Sequence, residues 1–334
     1  MTDDTELITQ ARTLHDKAPL ADLHADTFSA IKKAKHFVEG KSKLHLDLPR
    51  MRGAGIWAEA FSIFVHPDWS DSDKWLSIAE KQLARIEEAV EISSGSFAIA
   101  KSTDEVMCNH KNDVTSGIIE IEGLHPLGGD ISKIEWFYNR GVRIFTLTWN
   151  NTNEWATSCM DNDAETSGLT AEGIEVLGEI NRLDAIVDLA HSGERTFWDV
   201  IGRSDTPPIC SHSCCRVLKE SSRNLTDDQI RAIVERGGVI GINFYPGFLS
   251  SKSHSLVTTA DLVNHIEHII GLGGKANVAL GSDFDGVRRL PKGMEDCTRI
   301  IEVTKEMLRR GFEEDVILGV LGRNFMRLFS EIAR

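Results

Sequence analysis

The apolar positions of this chain fall into short dense runs that alternate with longer periodic ones. The dense runs are Leu20–His24, Ala58–Val65, Gly117–Glu122, Arg143–Trp149, Ala185–His191, Pro208–His212, Val239–Phe244 and Asn277–Asp283. They predict eight strands, and most are near-continuous rather than alternating, as strands are when helices cover both faces of a parallel sheet. Between them lie stretches with helical spacing, at Ser72–Ile92, Thr170–Leu183, Leu225–Gly237, Thr259–Leu272 and Thr298–Gly311. Leu225–Gly237 is the best punctuated. Thr226 can cap it, Asp227 and Asp228 suit the positive end of the helix dipole, and "ERGG" supplies a stop. Thr170, three residues before Gly173, carries half of a capping signal. Eight strands alternating with helices predict an α/β fold, a (β/α)8 TIM barrel. A doubly wound open sheet is the alternative, weakened because no G-x-G-x-x-G or G-x-x-x-x-G-K-[ST] loop follows a strand.

A barrel of this kind carries its chemistry at the C-terminal ends of its strands. Those ends read His24-Ala-Asp26 for the first predicted strand, Glu122 for the third, His191 for the fifth, His212 for the sixth and Asp283 for the eighth. Each is a metal ligand or a proton carrier, and each closes an apolar run. Side chains at i and i+2 share a strand face, so His24 and Asp26 can reach one ion. Asp22 is expected on that face a layer deeper, as an acceptor orienting a ligand or as a buried structural carboxylate. Imidazole with carboxylate suits zinc, and also manganese, cobalt or iron. With His24, Asp26, His191 and His212, one shared carboxylate would hold two ions, and Glu122 is the favoured bridge. Trp149 closes the fourth predicted strand and is expected to face the site. His66 and His125 follow strands and could line the mouth. His15, His36, His45, His110, His254, His265 and His268 default to the surface, and Cys210 to apolar packing.

Composition narrows the setting. The 334 residues carry 37 basic and 51 acidic side chains, a formal net charge of −14, which disfavours nucleic acid and anionic lipid as partners. Apolar content of 41% and charged content of 26% are those of a folded globular chain. There is no linker-like or low-complexity tract, so one domain over 1–334 is expected. The opening "MTDDTELITQARTLHDKAPL" lacks the basic cap and apolar core of a secretory signal. No apolar run approaches the ~20 residues of a membrane helix. The six cysteines show no C-x-x-C or framework spacing, and with this size point to reduced thiols in the cytoplasm.

The runs "DLHAD", "IEG", "NRLDAIVDLAHSG", "PPICSHSCCRVLKESSRNLTDDQI", "GSDFDGV" and "GVLGRNFMRLF" together resemble the membrane (renal) dipeptidase family of zinc peptidases, within the amidohydrolase group. The similarity runs in order over nearly the whole chain. It implies a barrel with two zinc ions, acting on a small-molecule dipeptide. Carried over by position, it implies His24 and Asp26 on one ion, His191 and His212 on the other, and Glu122 between them. It implies Asp283 as the acid/base and Arg223 as the holder of the substrate's C-terminal carboxylate. "FTLTWNN" departs from the family's mammalian members, which have a histidine where Trp149 stands. Tryptophan donates one N–H and carries no proton, which bears on substrate range. A C-terminal D-residue in the substrate is compatible with this reading; the alternative is another amide, such as an N-acyl amino acid or a lactam. An oligomer, most simply a two-fold homodimer, is compatible with it too.

Overall fold

The structure is a computed structural model that describes residues 4–41 and 43–333, so the ends of the expected span 1–334 lie outside the described residues. Among the described residues nine parallel strands form: β1 (Ala21–Ala25), β2 (Ala58–Phe64), β3 (Phe97–Ile99), β4 (Thr115–Glu122), β5 (Val142–Thr146), β6 (Ile186–Asp188), β7 (Ile209–Ser213), β8 (Val239–Ile242) and β9 (Val278–Leu280). Eight of them close into a barrel in the order β1, β2, β4, β5, β6, β7, β8, β9, with β9 returning to β1. This is the (β/α)8 architecture expected. The unexpected strand, β3, pairs with the first half of β4 outside the ring, through Phe97, Ala98 and Ile99 against Thr115, Ser116 and Gly117. Three residues are too few to show a period, which is why "FAI" was not legible as a strand.

The five anticipated helices form at 75–92, 171–182, 227–235, 259–271 and 301–309. Thr170 caps the second by accepting from Gly173 N at 2.9 Å. Thr226 and Gln229 cap the third reciprocally, each side chain taking the other's backbone N–H.

The barrel is closed at its N-terminal end. Ile118, Ile144, Ile186, Ile209, Val239 and Ala279, one from each of six strands, form one apolar cluster with Phe325, Leu328 and Phe329 of helix 324–332. Polar residues concentrate at the opposite end, where the loops leave the strands. Among the described residues, no helix is long and apolar enough to cross a membrane, and the six cysteines are not paired with one another.

Candidate metal centre and active site

The polar strand ends converge. Oε1 of Glu122, the last residue of β4, lies 3.0 Å from His191 Nε2, 3.5 Å from His212 Nε2 and 3.9 Å from His24 Nε2. The Nε2 atoms of His191 and His212 are themselves 3.0 Å apart. Asp26 Oδ2 lies 3.6 Å from His24 Nε2, a buried nitrogen with no hydrogen-bond partner. Ligand atoms around a tetrahedral zinc stand roughly 3.3–3.6 Å apart, so this donor set fits metal binding in both chemistry and spacing. Among the described residues two overlapping groups have the reach to hold an ion, His24 with Glu122 and His212, and His24 with Asp26 and Asp283. Asp283 therefore stands close enough to touch the centre as well as to serve it.

Local backbone geometry aims these groups. His191 and Asp283, expected at strand ends, each lie three positions past the end of the strand, β6 or β9. Both have left-handed backbones, with φ of 64° and 61°, and Asp285 follows at 69°. That conformation is costly for a residue with a Cβ. It ends the strand and turns the side chain over the barrel mouth. Gly286 completes the turn, since a Cβ there would stand 2.2 Å from both Asp26 Oδ2 and Asp283 Oδ1. Trp149 is likewise beyond its strand, three residues after β5 ends at Thr146.

Enclosure sets the charge states. Burial would lower the pKa of His24, but Glu120, Glu122 and Asp26 reverse this and hold it well above the ordinary value. His191 and His212 are pushed well below it, first by burial and then by the positive charge of Arg223 and His24, so their nitrogens keep their lone pairs. Glu122 is pushed well up by burial and by Asp26. Asp283 is raised to about 7, chiefly by burial. One of its oxygens accepts from Asn243 Nδ2 at 2.9 Å.

Beneath these groups a chain of hydrogen bonds crosses the barrel. His24 Nδ1 is 2.8 Å from Glu120 Oε2. The hydroxyl of Thr146 is 2.6 Å from Glu120 Oε1 and 2.7 Å from Asp188 Oδ2. Ser211 Oγ donates to that same Asp188 oxygen at 2.7 Å and stands 2.8 Å from His212 Nδ1. Two ligand-type imidazoles are thus oriented from behind through one array. His191 is steadied separately, its Nδ1 2.8 Å from Asn150 Oδ1. Sequence reasoning missed Glu120, Thr146, Asp188 and Ser211. The available signal was the pair of glutamates two apart in "IEIEG", which share a strand face.

Asp22 plays no part in this array. Its carboxylate accepts from Ser282 N at 2.7 Å and from the Ser282 hydroxyl, so it joins β1 to the segment after β9, the structural alternative. Its strand neighbours Ala21 and Leu23 belong to the floor cluster, and the β1–β2 register shifts between Asp22 and Ala25. The shift breaks the alternation on which a face shared with His24 was expected.

Arg223 is buried in the loop after β7. It donates from Nη2 to the carbonyl of His212 at 3.2 Å and lies over the Phe248 ring at 5.6 Å. It lines a cavity of about 770 Å³ together with Asp26, Glu122, Trp149, His191 and Asp283. The structure thus brings every anticipated site residue around one mouth except His24 and His212, which sit directly beneath. His66 also lines this cavity, whereas His125 is buried and bonds through Nε2 to the carbonyl of Val65 at 2.7 Å. Two histidines assigned to the surface are interior: His15 bonds to Thr304 Oγ1 at 2.8 Å, and His265 bonds to both Cys215 N and the Leu249 carbonyl. Their partners come from distant segments, which spacing along the chain does not reveal.

Comparison with known proteins bears on the family and the fold. The profile of the family described as membrane dipeptidase, peptidase family M19, matches residues 8–334. An uncharacterized dipeptidase of Schizosaccharomyces pombe is 31% identical over 86% of this chain and 72% of its own. Dipeptidase aclJ of Aspergillus oryzae is 30% identical over 86% of this chain and 70% of its own. A metallopeptidase of Rhodobacter sphaeroides, solved with a phosphinate mimic of the dipeptide L-Ala-D-Ala, superposes with a TM-score of 0.88 at 26% identity, over 95% of this chain and 99% of that one. The crystal structure of dipeptidase AC, a family M19 metallopeptidase, gives 0.89 at 26% identity with the same coverage. The chain belongs to the membrane dipeptidase family, peptidase family M19, and by that membership is a metal-dependent dipeptidase.

Proposed function

We propose that this chain hydrolyses the peptide bond of free dipeptides, those with a C-terminal D-residue included, at a centre of two zinc ions. His24 and Asp26 would hold one ion, His191 and His212 the other, and Glu122 would bridge them. The observation that carries this reading is the single Glu122 oxygen facing three imidazole nitrogens at 3.0 to 3.9 Å. Bound there, the ions supply Lewis acidity toward the scissile carbonyl and lower the pKa of the attacking water.

The protein's own groups do the rest. Asp283, raised to about 7, takes the proton from the attacking water and delivers it to the departing amine nitrogen. Asn243 holds one Asp283 oxygen and leaves the other to exchange the proton. Arg223 spends one N–H on the His212 carbonyl and presents the rest of its fork to a terminal carboxylate. That contact selects a free C-terminus one residue past the scissile bond, because a chain extended there would place an uncharged amide at Arg223. The dipeptide mimic held by the Rhodobacter sphaeroides relative supports this substrate class, and its D-residue supports the wider range. The unpaired thiols support a cytoplasmic setting.

The test is a hydrolysis screen on zinc-reconstituted protein, pairing L–L and L–D dipeptides with their C-terminal carboxamides, alongside zinc stoichiometry. Turnover of the free acids with two zinc ions bound, lost on amidation, is the expected result. Equal turnover of acid and amide would remove Arg223 from its role, and turnover with one zinc per chain would remove the bridge.

A further inference from the structure

The wall of the cavity opposite Arg223 is aromatic. Phe64, the last residue of β2, lies with its ring 5.0 Å from that of Trp149 and 5.7 Å from that of Trp69. His66 is stacked with Trp69 at 5.5 Å and lies 4.9 Å from Trp149. Trp149 reaches on to His191 at 6.2 Å, so the cluster runs continuously from the rim to the metal ligands. Trp69 is 57% exposed at that rim. A large aromatic side chain left this open costs free energy in water, yet all four rings line the one cavity.

Barrel order fixes where this wall lies relative to a substrate. Around the ring of eight strands, β2 is diametrically opposite β7. Arg223 is on the loop that follows β7, and three of the four rings belong to β2 and the turn after it. A dipeptide whose carboxylate is on Arg223 and whose carbonyl is over the central donor set therefore directs its N-terminal residue toward β2.

We propose that Phe64, His66, Trp69 and Trp149 form the subsite for the substrate's N-terminal side chain, and that this side chain is large and apolar, with aromatic rings the best occupants. The inference rests on the dipeptidase reading and adds to it the class of N-terminal residue. Flat rings on Trp69 and Trp149 gain offset or edge-to-face contacts that a small side chain cannot make. Trp149 also acquires a use: it joins the β2 rings to the centre and forms the inner end of the subsite.

The experiment measures kcat/KM on the zinc-reconstituted full chain for Gly-Ala, Ala-Ala, Leu-Ala and Phe-Ala, and in parallel for Gly-Ala and Gly-Phe. We expect Phe-Ala to exceed Gly-Ala by roughly tenfold or more. In Trp69→Ala, at an exposed position, that ratio should fall about fivefold, mainly through KM, while the Gly-Phe to Gly-Ala ratio holds. Trp198→Ala, a 38% exposed tryptophan outside the cavity lining, should leave both ratios in place. A flat N-terminal series overturns the subsite with the dipeptidase reading intact. So does a Trp69→Ala effect confined to the C-terminal series. Turnover of none of the dipeptides, their L–D counterparts included, overturns both.

Discussion

At the scale of single residues, the site is built from groups held where isolated side chains would not stay. Asp283 combines a left-handed backbone, a pKa of about 7 and one oxygen committed to Asn243. Asp283→Asn should lower kcat by about 10²–10⁴ with zinc stoichiometry intact. Retained turnover would take the proton-transfer role from it. Glu59 is a different case, remote from turnover. It is fully buried on β2 with neither carboxylate oxygen hydrogen-bonded, and burial, with Asp22 next, pushes its pKa well up. Above the ordinary glutamate value the folded chain keeps a proton there that the unfolded chain has lost. The stability of the wild type therefore declines as pH rises through that interval. Glu59→Gln removes this contribution, and the gap between the denaturant midpoints at pH 5 and pH 8 should narrow, with a gain of about 1–3 kcal/mol at the higher pH, while Asp283 and Glu122 keep their own share of the dependence. A variant that is less stable than wild type at pH 8 would show the carboxylate to be partnered after all. The sequence made the ligand-type residues legible because each ends an apolar run. Glu59 and Asp22 were not legible as partners, because the parallel pairing that sets them side by side joins segments far apart in the chain.

At the scale of elements, the strand ends act together through the array from His24 to His212. Thr146 is its middle, the one hydroxyl touching both Glu120 and Asp188. Thr146→Val keeps the shape and removes the contact. Loss of such an outer partner costs about 10–100-fold in metal affinity, measured by competition against a chromophoric chelator, and Thr146→Ser should restore most of it. Unchanged affinity in the valine variant would reduce the array to packing. Most strands and helices were legible from dense and periodic apolar runs. The ends of β6 and β9 were overextended, because a run of apolar letters does not disclose that His191 and Asp283 leave the extended region. The short outer strand β3 owes its existence to a free edge on β4, a tertiary opportunity that three residues do not announce.

At the scale of the molecule, the barrel has a dry floor and a wet mouth. Phe329→Ala, in the floor, should cost about 3–5 kcal/mol while the surviving folded fraction keeps its kcat. A matching loss of kcat per folded molecule would mean that the floor reaches the site. The (β/α)8 plan was legible in the alternation of runs. The sealing role of helix 324–332 was not, since its apolar face resembles that of any surface helix. The sealed floor also governs traffic. Each turnover admits a dipeptide and a water and must discharge two amino acids on the loop side, one held by the buried Arg223 and the other facing the exposed Trp69 at the rim. The order of release expected from this is N-terminal amino acid first, with the C-terminal product as the last occupant. Product-inhibition kinetics should find the C-terminal amino acid competitive with the dipeptide and the N-terminal one not; the reverse pattern would place the exit elsewhere. A chamber closed at one end keeps a queue, and accumulated product lengthens it.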